Sequence, residues 1–102
     1  MNSLKNMVKN EDEVIVIASI YVNIIDNILN FPHPNNLQKS FMYLHRVEEA
    51  LSALDSKHRE LIENDFIDRS HPEWWRNTYS CKSYLNLRYK AVGSFLVHFY
   101  GN

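Results

Sequence analysis

The chain has 102 residues, with 11 Lys+Arg against 12 Asp+Glu and a formal net charge of −1. That length allows one domain spanning 1–102, and 45% apolar with 13% aromatic residues excludes a disordered chain. A single cysteine excludes a disulfide framework and a Cys-rich zinc site, while two glycines and three prolines argue against a turn-rich β-sandwich and favour an all-α fold.

In chain order, residues 1–10 read as a polar leader without the basic and apolar regions of a signal peptide. From Glu11 to about Asn30, apolar residues at 14, 17, 18, 21, 24, 25 and 28 trace one helical stripe. Glu11, Asp12 and Glu13 place negative charge at its start, where the helix dipole favours it. The run is too short and too polar to span a bilayer, so no membrane partner and a cytoplasmic location are expected. The helix is apolar around much of its circumference, and homodimerisation or docking onto a larger protein is therefore a further expectation.

Phe31-Pro32-His33-Pro34-Asn35-Asn36 breaks the pattern. Asn35 or Asn36 then caps a second helix to about Leu54, with Leu37, Phe41, Leu44, Val47, Leu51 and Leu54 inward. These two helices form an N-terminal pair over 11–54. Asp55-Ser56 supplies a cap for a helix from Lys57 to about Phe66, with Leu61, Ile62 and Phe66 facing the core. Ser70-His71-Pro72 punctuates again and precedes a short helix over Glu73–Asn77.

Ser80 or Cys81 caps a long final helix through about Phe99, and Gly101 offers a C-terminal stop. Gly93 within it costs roughly 1 kcal/mol relative to Ala. Tyr84, Leu87, Ala91 and Phe95 form one apolar row, and Leu85, Val92, Leu96 and Phe99 a neighbouring one. The total is about five helices. A short helix, a turn and a longer helix make the plan of a helix-turn-helix over 55–102.

The charge is unevenly divided. Residues 1–75 carry a balance of −5, whereas residues 76–102 hold Arg76, Lys82, Arg88 and Lys90 with no acidic residue, a balance of +4. A basic terminal segment on an acidic body is a local electrostatic footprint of the kind that meets nucleic acid. Lys82, Asn86 and Lys90 follow one another at i+4 steps and leave a polar stripe outside both apolar rows. Lysine and asparagine contact phosphates and base edges in a major groove. A stripe of this kind is equally compatible with an ordinary solvated face.

Ala50-Leu51-Ser52-Ala53-Leu54-Asp55 followed by Arg59-Glu60-Leu61-Ile62 resembles the opening of sigma-70 region 4-type domains. Tyr79-Ser80-Cys81-Lys82-Ser83-Tyr84-Leu85-Asn86-Leu87-Arg88-Tyr89-Lys90-Ala91-Val92 resembles the recognition helix of ArpU-type phage transcription regulators. The likeness covers roughly residues 50–100. It implies a transcription regulator that binds double-stranded DNA or associates with RNA polymerase. Position by position, Lys82, Ser83 and Asn86 would face bases, and Arg76, Arg88 and Lys90 would hold phosphates. Asn86 and Tyr89 stand where basic residues are usual, and Glu73-Trp74-Trp75-Arg76 is an unusual first helix. A protein-binding adaptor that kept the fold is the alternative.

Other constellations carry less. The histidines at 33, 45, 58, 71 and 98 include no i, i+4 pair, so no metal site and no cofactor are expected. Cys81 would need a base brought in by the fold to act as a nucleophile. Glu60, Glu63, Asp65 and Asp68 read as a charged surface face rather than a carboxylate pair. No enzyme and no small-molecule substrate are expected. Trp74-Trp75 reads either as core plug plus partly exposed ring or, through that exposed ring, as a protein-interaction hot spot.

Overall fold

The computed structural model describes residues 3–30 and 37–101. They form α1 (Ser3–Asn30), α2 (Leu37–Ala53), α3 (Ser56–Ile62) and α4 (Cys81–Phe99), with a π-helical turn at Glu63–Ile67 continuing α3. The described residues contain no strand, so the fold is all-α. The expected break at 31–36, with its Asn35 or Asn36 cap, lies outside the described residues.

α1 begins at Ser3, so residues 3–10 of the stretch expected as a leader are helical instead. Its first half is anchored from α4: Arg88 grips Glu11, and the Tyr100 hydroxyl donates to Glu13 at 2.8 Å. Val14, Ile17 and Ala18 are buried, and Tyr21 packs at the core margin. In α2, Val47, Ala50 and Leu51 are buried and Leu54 follows them inward, but Phe41, expected on the same face, is exposed. α3 starts as its sequence indicates, with Asp55 Oδ1 accepting the His58 N–H at 3.0 Å.

The α3 ladder then widens. Asp68 N–H donates to the Glu63 carbonyl at 2.7 Å, a five-residue step. With that extra residue in the turn, Phe66 enters the core while Asp65 remains available to α4.

Residues 72–78 do not form the expected short helix. They are successive three-residue turns, with N–H groups of Trp74, Arg76 and Thr78 donating to the carbonyls of His71, Glu73 and Trp75. The reason lies in Trp74 and Trp75, which both pack on Tyr84. Neighbouring residues of an α-helix diverge by about 100° and do not share a face. The described residues therefore hold four α-helices, and the segment directly before α4 is a run of turns rather than the short helix expected there.

α4 is the central element, in contact with α1, α2 and α3. Tyr84, Ala91, Val92, Phe95, Leu96 and Phe99 make its buried face, whereas Leu85, expected among them, points outward. Ser80 is the N-cap, its hydroxyl accepting the Ser83 N–H at 3.1 Å. Gly101, at φ 77°, ends the helix in the left-handed conformation that glycine adopts without steric cost. Two arginines close helix C-termini: Arg59 donates to the carbonyls of Leu51 and Leu54, and Arg46 donates to that of Phe99 at 2.8 Å while lying over its ring.

Candidate nucleic-acid interface

The expected contact residues separate into two groups. Lys82, Ser83, Asn86 and Lys90 are all exposed along the outer edge of α4. Lys82, Asn86 and Lys90 follow one line for eight residues, about 12 Å of helix. Among the described residues, neither lysine has a carboxylate within ion-pair distance. Ser83 belongs to the cap: its Oγ accepts the Ser80 hydroxyl at 3.0 Å.

Arg88 is not part of that edge. It lies four residues after Tyr84, and its guanidinium points inward over the Phe66 ring, 4.7 Å from its centroid. Nε and Nη2 each donate to Glu11 at 3.0 Å, and Nη1 donates to Asp65 at 2.8 Å and to the Tyr84 hydroxyl at 3.1 Å. Burial opposes the guanidinium charge, but the hydrogen bonds to Glu11 and Tyr84 more than reverse this and raise its pKa above the ordinary value. A phosphate would have to displace two carboxylates to reach it. The residue expected to hold phosphate instead pins α1 and the π turn to α4.

Arg76 is intermediate. It pairs with Glu73 at 3.0 Å, with both side chains largely exposed. Such a surface pair is worth little and exchanges readily for another anion. Among the described residues, the +4 of residues 76–102 thus resolves into one cation neutralised inside, one loosely paired and two lysines in no ion pair.

Asp65, expected with Glu60, Glu63 and Asp68 on a charged surface face, instead turns inward toward α4. Its side chain is 6% exposed and accepts from Trp74 Nε1 at 2.8 Å, from Arg88 and from the Tyr84 hydroxyl. Burial first, and the hydrogen bond to Asp65 second, push the Tyr84 phenol up to about 12. The sequence offered one clue, the i, i+4 pairing of Tyr84 with Arg88 on a face otherwise apolar. Trp74 is held by Asp65 and edges against Tyr79 and Tyr84, while Trp75 stacks on Tyr84 at 4.2 Å between centroids. Both rings are half-buried, so each keeps part of its surface outward beside its packing on Tyr84.

A second group of outward residues was also missed. Leu85, Tyr89 and Val97 are exposed apolar side chains on α4, beside the lysine edge. Cys81 is exposed, and among the described residues no group of three or more metal-ligating side chains gathers. No helix among the described residues is long and apolar enough to cross a membrane. Comparisons with family models, curated proteins and solved structures give no match, so none of them ties the chain to sigma-70 region 4-type or ArpU-type domains, and its chemistry is read from its own residues.

Proposed function

We propose that the protein is a small cytoplasmic, non-enzymatic transcription regulator that binds double-stranded DNA through the outer edge of α4. The observation that supports this reading is the exposed line Lys82, Asn86, Lys90, with Ser83 beside it and, among the described residues, no carboxylate paired to either lysine. The lysines suit phosphates, and Asn86 suits an adenine edge. Leu85 and Tyr89 add apolar surface of the kind that meets a thymine methyl. Arg88 has no role in the contact.

With phosphate contacts from Lys82, Lys90 and Arg76, the logarithm of the binding constant falls against the logarithm of salt with a slope of about −2.7. Lys82→Ala with Lys90→Ala brings the slope to about −0.9 and leaves the helical circular dichroism unchanged. Absence of retention on any duplex at low salt sinks the DNA reading.

The adaptor reading is kept by one observation, the exposure of Leu85, Tyr89 and Val97 on that same helix. Under it, purified RNA polymerase is the partner to test. Leu85→Asp with Tyr89→Asp then abolishes polymerase binding, while Lys82→Ala with Lys90→Ala leaves most of it. Polymerase binding untouched by the apolar pair sinks this second reading.

A further inference from the structure

α4 carries a second outward row beside its lysines. Leu85, Tyr89, Gly93 and Val97 follow one another at i+4 steps, the spacing of a packing ridge on a helix. Leu85, Tyr89 and Val97 are exposed, so the ridge offers apolar side chains on both sides of a residue that has none. From Leu85 to Val97 it runs about 18 Å.

The gap at Gly93 opens into a groove of about 420 Å³. Leu96, Val97 and Tyr100 line it from α4, and Asn10 and Glu13 from α1. A Cβ at Gly93 would meet no heavy atom within 4 Å, so no contact inside the molecule calls for glycine there, although glycine weakens the helix relative to alanine. A glycine on a ridge lets a second helix come close and seat one large side chain in the gap. The two flanks of the groove differ in charge. Lys90 and Leu96, three residues before and after Gly93, stand about 60° to either side of it. Beyond Lys90 runs the edge with Lys82, and among the described residues neither lysine has a carboxylate within ion-pair distance. Beyond Leu96 stands Glu13, whose carboxylate accepts the Tyr100 hydroxyl.

We infer that this ridge docks an amphipathic helix of another protein, apolar on its contact face and acidic along one edge. One of its apolar side chains fills the gap at Gly93, and its acids lie over Lys90 and Lys82. Glu13 repels acid on the opposite flank, so the acidic edge faces the lysines and not α1. About 12 residues of helix cover the ridge. Duplex DNA suits the lysines, but it has no side chain for the gap, and Glu13 would face its phosphates. The inference rests on the adaptor reading and adds the chemistry of the partner.

Selection from a displayed library of random peptides of about 20 residues on the immobilised full chain tests it. The enriched peptides are rich in Glu and Asp and carry apolar residues at i, i+3 and i+4 spacing. Gly93→Leu fills the gap and weakens their binding roughly tenfold, while the thermal midpoint does not fall. If the midpoint does fall, Gly93→Ala replaces it and weakens binding roughly threefold. Lys82→Glu with Lys90→Glu weakens binding roughly thirtyfold. Leu29→Glu, exposed and about 24 Å along α1 from Glu13, leaves it unchanged. Enrichment of basic or uncharged peptides, no enrichment, or equal binding to the native chain and the filled variant overturns the inference. Duplex binding that is lost on Gly93→Leu gives the gap to DNA and overturns it too. So does a mass above 12.1 kDa in sedimentation equilibrium that returns to that value on Gly93→Leu, since a second copy then occupies the ridge. Polymerase binding that falls with Leu85→Asp and Tyr89→Asp, in a chain that enriches no acidic peptide, overturns the inference and leaves the adaptor reading standing.

Discussion

α1 and α4 are the two longest helices, and they treat the surface away from the core in opposite ways. α4 turns its large apolar residues inward and leaves a lysine edge outside, with Arg88 drawn into the interior by Glu11 and Asp65. α1 contributes only a few fully buried residues and leaves Val8, Ile15, Val16, Ile20 and Leu29 exposed. α4 lies at the centre, in contact with every other helix, so most of its circumference is occupied. α1 lies across one side and has a face to spare. Position in the fold, more than apolar content, decides which surface is left for a partner.

The sharpest way to break this contrast lies within α4. Phe95 is 2% exposed and Leu85 51%, although both fall in the apolar rows read from sequence. Phe95→Ala costs about 3–5 kcal/mol in urea unfolding, while Leu85→Ala stays within about 0.5 kcal/mol. Similar losses at both sites would mean that α4 has no distinct outer face.

The next effect concerns the polar link between the two helices. Arg88→Leu leaves Asp65 buried without its cation and costs about 2–3 kcal/mol by the same measurement. If the cost matches that of Lys82→Ala, Arg88 is no anchor, and the division between interior and exposed cations fails.

Tyr84 gives the same link a pH signature. Its phenol ionises more readily in the unfolded chain, near 10, than in the fold, where the value is about 12. The stabilisation is fully present below pH 10 and is lost as pH rises toward 12, because the unfolded state releases the proton first. Unfolding midpoints followed through that window fall for the native chain and fall less for Tyr84→Phe.

The smallest effect is a gain. A Cβ at Gly93 would meet no heavy atom within 4 Å, and the residue sits inside a helix. Gly93→Ala therefore raises stability by about 0.5–1 kcal/mol, read as a higher thermal midpoint. A loss would show that the surface beside Gly93 is closer to its neighbours than the fold indicates.

Local signals were legible where one residue type has one role. Asp55 and Ser80 are caps because a short side-chain oxygen satisfies a free N–H, and Gly101 ends α4 because its φ is positive. Periodicity located Val14, Val47, Leu61 and Phe95 in the core. It could not tell Leu85 or Phe41 from a core residue, since a row marks a face but not how far the neighbouring helices extend over it. The turns at 72–78 and the widening at 63–67 depend on where Trp74, Trp75 and Asp65 meet Tyr84, and such contacts are set by tertiary packing. Arg88 illustrates the same limit for the site. Charge counting placed it with the lysines, and the approach of Glu11, 77 residues away, together with Asp65 separates it from them.

The position of the tryptophans has a practical consequence. Both indoles of the chain lie in the connection before α4, one stacked on Tyr84 and one bonded to a carboxylate. Intrinsic fluorescence therefore reports on this single joint rather than on the molecule at large. A titration with duplex that leaves emission unchanged would mean that α4 engages as a preformed rod; a shift in emission would mean that the joint rearranges on contact.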